Sequence, residues 1–129
     1  MKLEHVALNV DDPVAMGRWY VEHLGLKVKR RMVEQPYAHF LADDSGSVMI
    51  EIYSNREQPS LDHAQTAPAA LHLAFVSQDM EIDVRRLERA GATMVGQIDT
   101  APNGDQFVFL RDPWGVCLQL VKRTTPMIS

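Results

Sequence analysis

His5 and Glu51 in the first half of the chain, and His72 and Gln119 in the second, are the side chains whose types and places suit chemistry. Each histidine interrupts an apolar run, Leu3 to Val10 in one case and Ala70 to Val76 in the other. Glu51 and Gln119 each interrupt a later run, Val48 to Tyr53 and Val116 to Val121. The spacings agree: His5 to His72 is 67 residues, Gly25 to Gly91 is 66, Glu51 to Gln119 is 68 and Phe40 to Phe109 is 69. Offsets this similar mark a duplicated unit, so the four residues form two pairs of equivalent places. Imidazole and carboxylate groups bind metals and move protons, whereas the Gln119 amide cannot act as a base. Taken singly, each residue also has an ordinary structural role. Glu51 can pair with Arg30, Arg31 or Arg111, and Gln119 can hydrogen-bond across the fold.

The elements that must carry these residues follow from periodicity. Residues 2–10 alternate as a strand, with His5, Ala7 and Asn9 on one face and Val6, Leu8 and Val10 on the other. Asp12 and Pro13 begin a helix that runs to Leu24 and ends at Gly25, with Val14, Gly17, Val21 and Leu24 as its inner stripe. Strands over 27–34, 37–42 and 47–53 complete a βαβββ module spanning residues 2–53. Residues 54–69 are polar, carry Pro59 and Pro68, hold His63 and show no period, which predicts a linker. The module then repeats over residues 70–122. It has a strand over 70–76, a helix over 80–90 with Ile82, Leu87 and Ala90 inward, and strands over 93–98, 106–110 and 116–121. Pro102-Asn103-Gly104-Asp105 is the hairpin signal between two of them.

Composition narrows the classes. A chain of 129 residues, 46% hydrophobic and 23% charged, fits one globular domain with a sizeable core. A net charge of −4 gives no electrostatic reason to expect nucleic acid or an anionic membrane as partner. No apolar run reaches the roughly eighteen residues of a membrane helix. The single cysteine, Cys117, excludes an internal disulfide and suits a reducing compartment. The first residues enter a strand at once, which leaves no room for a signal peptide. The expectation is a cytoplasmic protein that handles a small molecule.

The paired βαβββ modules, Trp19-Tyr20 followed by Leu24-Gly25-Leu26, and Asp112-Pro113-x-Gly115 before the last strand resemble the glyoxalase/bleomycin-resistance/dioxygenase group, the vicinal oxygen chelate superfamily. The resemblance covers roughly residues 3–121. It implies an α+β fold in which the two modules form a curled eight-stranded mixed sheet, a cup, with the helices outside. It also implies one divalent metal in the cup, held by one residue from the first and one from the last strand of each module: His5, Glu51, His72 and Gln119. Two imidazoles, one carboxylate and one amide oxygen suit Zn, Ni, Co, Mn or Fe, and spacing does not choose among them.

The resemblance further implies a metal-dependent lyase or isomerase of the glyoxalase I-like type. Such an enzyme acts on a small α-oxygenated carbonyl compound or thiol adduct by enediolate or enolate stabilisation, here with Glu51 as catalytic base. A metal-free small-molecule binding protein of the bleomycin-resistance kind is the alternative. A dioxygenase using Fe(II) ranks below both, because that chemistry asks for Glu where Gln119 stands. The substrate-contact positions expected by analogy or by place are Asn55, Tyr53, His39, Tyr37 and Trp114. The family's arginine four residues after the first ligand is Asn9 here, and the arginine four before the third is Pro68. Glutathione carboxylates would lack those bidentate partners. A homodimer is the expected assembly.

Overall fold

An aspartate before Pro13 sets the first helix: the Asp12 carboxylate accepts a hydrogen bond from the Ala15 N–H at 3.2 Å, capping a helix that Pro13 opens. The computed structural model describes residues 1–128. In chain order the elements are β1 (His5–Asn9), α1 (Pro13–Leu24), β2 (Lys27–Arg31), β3 (His39–Ala42), β4 (Met49–Tyr53), β5 (Leu73–Val76), α2 (Met80–Arg89), β6 (Thr93–Thr100), β7 (Gln106–Arg111) and β8 (Cys117–Lys122). This is βαβββ twice, in two four-stranded mixed sheets ordered β1-β4-β3-β2 and β5-β8-β7-β6. In each sheet the first and last strands of a module are parallel neighbours, and the remaining pairs are antiparallel. The chain divides into two compact units, residues 1–61 and 62–129.

In the first unit α1 packs on β3 and β4. It buries Pro13, Met16, Gly17, Trp19 and Tyr20, not the stripe expected from the sequence. Of that stripe only Gly17 is buried, and Val14 is 43% exposed. The large side chains at 16, 19 and 20 offer more apolar area than two valines, and the helix turns to bury them. α2 behaves likewise in the second unit, where it buries Met80, Val84 and Leu87 and leaves Ile82 outside. The strands at the start of each module are shorter than alternation suggests, beginning at His5 and at Leu73.

The stretch expected to be a linker is partly ordered by the second unit. His63–Gln65 forms a 3₁₀ turn, and His63 is buried. Arg111 fastens this turn: its guanidinium donates to the carbonyls of His63 at 3.0 Å, Thr66 at 2.9 Å and Gly115 at 3.0 Å. Three backbone acceptors on one fork-shaped cation hold two chain segments together.

The C-terminal end of the second unit is held by Asp105. Its carboxylate accepts from the Thr124 N–H at 2.8 Å, the Thr124 hydroxyl at 3.0 Å and the Arg123 guanidinium at 3.1 Å. The backbone bond from Thr124, helped by Arg123, keeps this carboxyl below its ordinary value. A carboxyl lower in the folded than in the unfolded chain adds stability above its ordinary value and loses it as pH falls through the folded one. Asp105→Asn is therefore expected to lower stability at neutral pH and to flatten the acid limb. Urea titrations of both proteins should converge as the pH drops below the usual carboxylate range.

Cys117 pairs with Arg111 across β7 and β8 and is 4% exposed. Burial pushes its thiol up, the Arg111 charge pulls the other way, and Asp112 adds a smaller push up. The thiol is expected to resist an aromatic disulfide reagent in the native protein and to react at once in urea.

Candidate functional site

The first unit brings His5 and Glu51 together. β1 and β4 run side by side with His5 opposite Met49 and Ala7 opposite Glu51, so the two polar side chains leave the same face of the sheet. His5 Nε2 lies 3.3 Å from Glu51 Oε2, and the Glu51 side chain is 19% exposed. On the other side of the ring, His5 Nδ1 lies 3.0 Å from Glu4 Oε1. Phe40, the cross-strand partner of Glu51, meets the His5 ring edge-on at 5.6 Å. Among the described residues the Glu51 carboxylate meets His5 rather than an arginine.

A carboxylate accepts only, and one stands at each ring nitrogen, so a neutral imidazole donates to Glu4 or to Glu51 but not to both. A neutral imidazole would then turn a lone pair toward an anion, an arrangement that a cation between them satisfies. A proton serves, and so does a divalent metal. Ligand atoms each about 2.1 Å from one ion stand roughly 3.0–3.4 Å apart at octahedral or tetrahedral angles. The observed 3.3 Å falls in that range. A carboxylate on the remote nitrogen of a histidine is also the usual support of a metal-binding imidazole.

The second unit repeats the frame with a different partner on the ring and an amide in place of the carboxylate. His72 Nδ1 donates to the Pro68 carbonyl at 2.8 Å, which leaves Nε2 with its lone pair. Phe109 meets the His72 ring at 5.1 Å, and Phe109 is the cross-strand partner of Gln119. Ala74, two residues after His72, pairs with Gln119 on the parallel neighbour. His72, Phe109 and Gln119 thus repeat His5, Phe40 and Glu51, with a neutral amide in place of the carboxylate. The Gln119 side chain makes no hydrogen bond among the described residues, so it does not act as a cross-strand tie. Within neither unit do three His, Cys, Asp or Glu side chains converge among the described residues. Each unit taken by itself carries one histidine and one oxygen donor of the four, groups of the types that bind divalent ions.

The expected substrate contacts divide. Tyr53 leaves β4 on the face of Met49 and Glu51. His39 does not: it pairs with the buried Ile52, packs against Gly17 of α1 and donates from Nδ1 to the Tyr37 carbonyl at 2.6 Å. It therefore lies on the helix side of the sheet, opposite Glu51. Tyr37 occupies the bend before β3 with φ 54°. Asn55 is engaged in its own loop, its Oδ1 accepting from the Glu57 N–H at 3.0 Å. Asn9 holds that loop, accepting from the Asn55 N–H at 2.8 Å and donating to the Asn55 carbonyl at 3.2 Å. Trp114 belongs to the turn before β8, where its N–H donates to Asp112 at 2.9 Å. Glu4 and the two phenylalanines are the site residues that sequence reasoning missed. The Phe40/Phe109 offset was a signal for two of them.

Known proteins resemble the chain over nearly its whole length. The family model described as the Glyoxalase/Bleomycin resistance protein/Dioxygenase superfamily matches residues 2–120. The chain is 27% identical over 124 residues to protein YwkD of Bacillus subtilis (strain 168), covering 94% of this chain and 96% of that one. It is similar in fold to a glyoxalase-related enzyme from Fulvimarina pelagi, with TM-score 0.72, 17% identity and coverage of 95% and 88% of the two chains. It is similar also to TnmS3, an antibiotic-binding protein from Streptomyces sp. CB03234, with TM-score 0.70, 16% identity and coverage of 96% and 97%.

Proposed function

The chain belongs to the glyoxalase/bleomycin resistance protein/dioxygenase superfamily, and from that premise we propose that it is a metal-dependent lyase or isomerase of the glyoxalase I-like type. Its substrate is a small α-oxygenated carbonyl compound or a thiol adduct of one. The observation that carries this reading is the His5–Glu51 contact, with a second carboxylate, Glu4, on the remote ring nitrogen. His5, Glu51, His72 and Gln119 would hold one divalent ion. When bound, the ion supplies electrophilic stabilisation of the negative oxygen that forms as a proton leaves the adjacent carbon.

The rest of the chemistry belongs to the side chains. With the histidine lone pairs given to the ion, Glu51 is the one of the four left to take a proton, and its carboxylate receives it from the carbon beside the carbonyl. The same carboxyl returns the proton to the neighbouring carbon in an isomerase, or keeps it while a leaving group departs in a lyase. Glu4 and the Pro68 carbonyl hold the His5 and His72 rings in place from their Nδ1 sides. Phe40 and Phe109 back those rings with apolar surface, which keeps water from one side of each. Gln119 offers a neutral oxygen, so the total negative charge of the set is one less than with a second glutamate.

A second reading is a metal-free binder of a small organic molecule, and Gln119 is the observation that favours it. The likeness in fold to an antibiotic-binding protein supports the same alternative. Activity separates the two. Protein stripped with chelator and reloaded singly with Zn²⁺, Ni²⁺, Co²⁺, Mn²⁺ or Fe²⁺ is to be assayed on 2-oxoaldehyde–thiol adducts and on 2-substituted acyl thioesters in deuterated water. Metal-dependent turnover, or metal-dependent deuterium uptake at the carbon beside the carbonyl, is the expected result. No exchange with any of the five ions would favour the binder.

A further inference from the structure

Beside the His5–Glu51 pair the first unit has a cavity of about 260 Å³, lined by Lys2, Glu4, Lys29, Ser47 and Met49 over Ala42. It adjoins the pair through two residues. Glu4 is the carboxylate on His5 Nδ1, and Met49 is the strand partner of His5. Among the described residues neither lysine has an ion pair and the Ser47 hydroxyl has no hydrogen bond. The one lining carboxylate is already engaged with His5. Two lysines without an ion pair and a serine with an unbonded hydroxyl therefore line a space next to the pair, with a lining charge of one excess cation.

Two further observations indicate that this charge is placed for a ligand. The register of β2 against β3 shifts between Val28, which pairs with Leu41, and Arg30, which pairs with Phe40. Lys29 is the extra residue at that irregularity, and such a bulge re-aims the side chain it carries. The second module gives an internal control. At the repeat offset of 67, Lys2 and Glu4 correspond to Ala69 and Leu71, whereas Val95 pairs with Phe109 and so corresponds by register to Arg30 rather than to Lys29. The second module thus folds with apolar residues at the places of Lys2 and Glu4, so the fold does not call for those two charges.

We propose that this cavity is a subsite for a carboxylate or phosphate group, carried by the molecule that binds at His5 and Glu51. The inference rests on the site reading above and narrows its substrate class to anionic α-oxygenated carbonyl compounds. Lys29 and Lys2 contact the anion, and Ser47 donates a hydrogen bond to it. Glu4 keeps its bond to His5 and sets a limit on how deeply a dianion settles.

The test uses inorganic phosphate and succinate as separate probes on chelator-treated protein, followed by amide ¹H–¹⁵N spectra. Saturable shifts at Gly46, Ser47 and Met49 are expected. Affinity should fall about tenfold or more in the Lys2→Gln, Lys29→Gln double variant, as losing charged hydrogen bonds implies. It should stay unchanged in Lys122→Gln, whose spectrum and that of the double variant also report folding. Tighter binding of phosphate than of succinate would assign a phosphorylated ligand, and the reverse a carboxylate. No saturable shift there, or equal affinity in the double variant, would overturn the subsite. The same titration in Glu51→Gln separates the two readings, because loss of the metal chemistry leaves anion binding in place.

Discussion

Glu51→Gln is expected to abolish most activity while leaving the fold intact. The substitution keeps the shape of the side chain and removes both its charge and its ability to take a proton. Loss of proton transfer alone is worth about 10²–10⁴-fold in rate, and loss of an anionic ligand weakens metal binding as well. The two effects separate at saturating metal, where the residual defect in kcat is the proton-transfer part. Glu51 is 19% exposed and contacts His5 rather than the helix-side core, so the melting temperature should move little in the metal-free protein. A kcat within threefold of wild type, a margin set by a role worth at least about 10²-fold, would remove Glu51 from the chemistry. His72→Ala, by contrast, should weaken metal binding without removing the base.

Gly115→Ala should produce the largest loss of stability of any single methyl addition in the second unit. Gly115 has φ +90°, and a Cβ there would stand 2.7 Å from the Ala64 Cβ and 2.8 Å from its Cα and N. The backbone of Ala64 cannot move freely, because Arg111 ties the neighbouring His63 carbonyl and the Gly115 carbonyl to one guanidinium. A left-handed backbone costs a non-glycine residue about 1–2 kcal/mol, and overpacking adds about 1–3 kcal/mol. The expected total of about 3 kcal/mol would be read from urea unfolding monitored by tryptophan fluorescence. Gly46→Ala is the control: its φ is +67° with nothing within 4 Å of the added carbon, so only the backbone cost applies. Equal losses in the two variants would show that the Ala64 contact contributes nothing.

Much of this architecture is legible in the sequence because duplication makes the chain its own comparison. The offsets of His5 to His72 and Glu51 to Gln119 identify the equivalent places. The structure then gives each pair the same strand register and an edge-on phenylalanine. Asp12 and Gly25 mark the ends of α1 through the chemistry of a cap and of a left-handed residue, and both hold.

What alternation could not resolve depends on register and reach. His39 and Phe40 are neighbours, and only the pairing of Phe40 with Glu51 reveals that His39 points to the helix. Asn55 has the right place for a ligand contact, but an asparagine just beyond a strand end also suits a local turn, and the turn claims it. Glu4 lies outside the regular strand and reaches His5 only because its side chain is long. Lys29 reads as one of several basic residues on an edge strand until the register shift singles it out.

The central claim is that the repeat-related pairs hold one divalent ion, and metal content tests it most directly. Untagged protein purified without chelator is to be measured by elemental mass spectrometry beside Glu51→Ala and His72→Ala. The expected result is close to one divalent ion per chain in the wild type and a marked loss in both variants. Wild-type protein without metal, not stabilised against heat by Zn²⁺, Ni²⁺ or Mn²⁺, would contradict the claim and leave a binding protein that works without an ion.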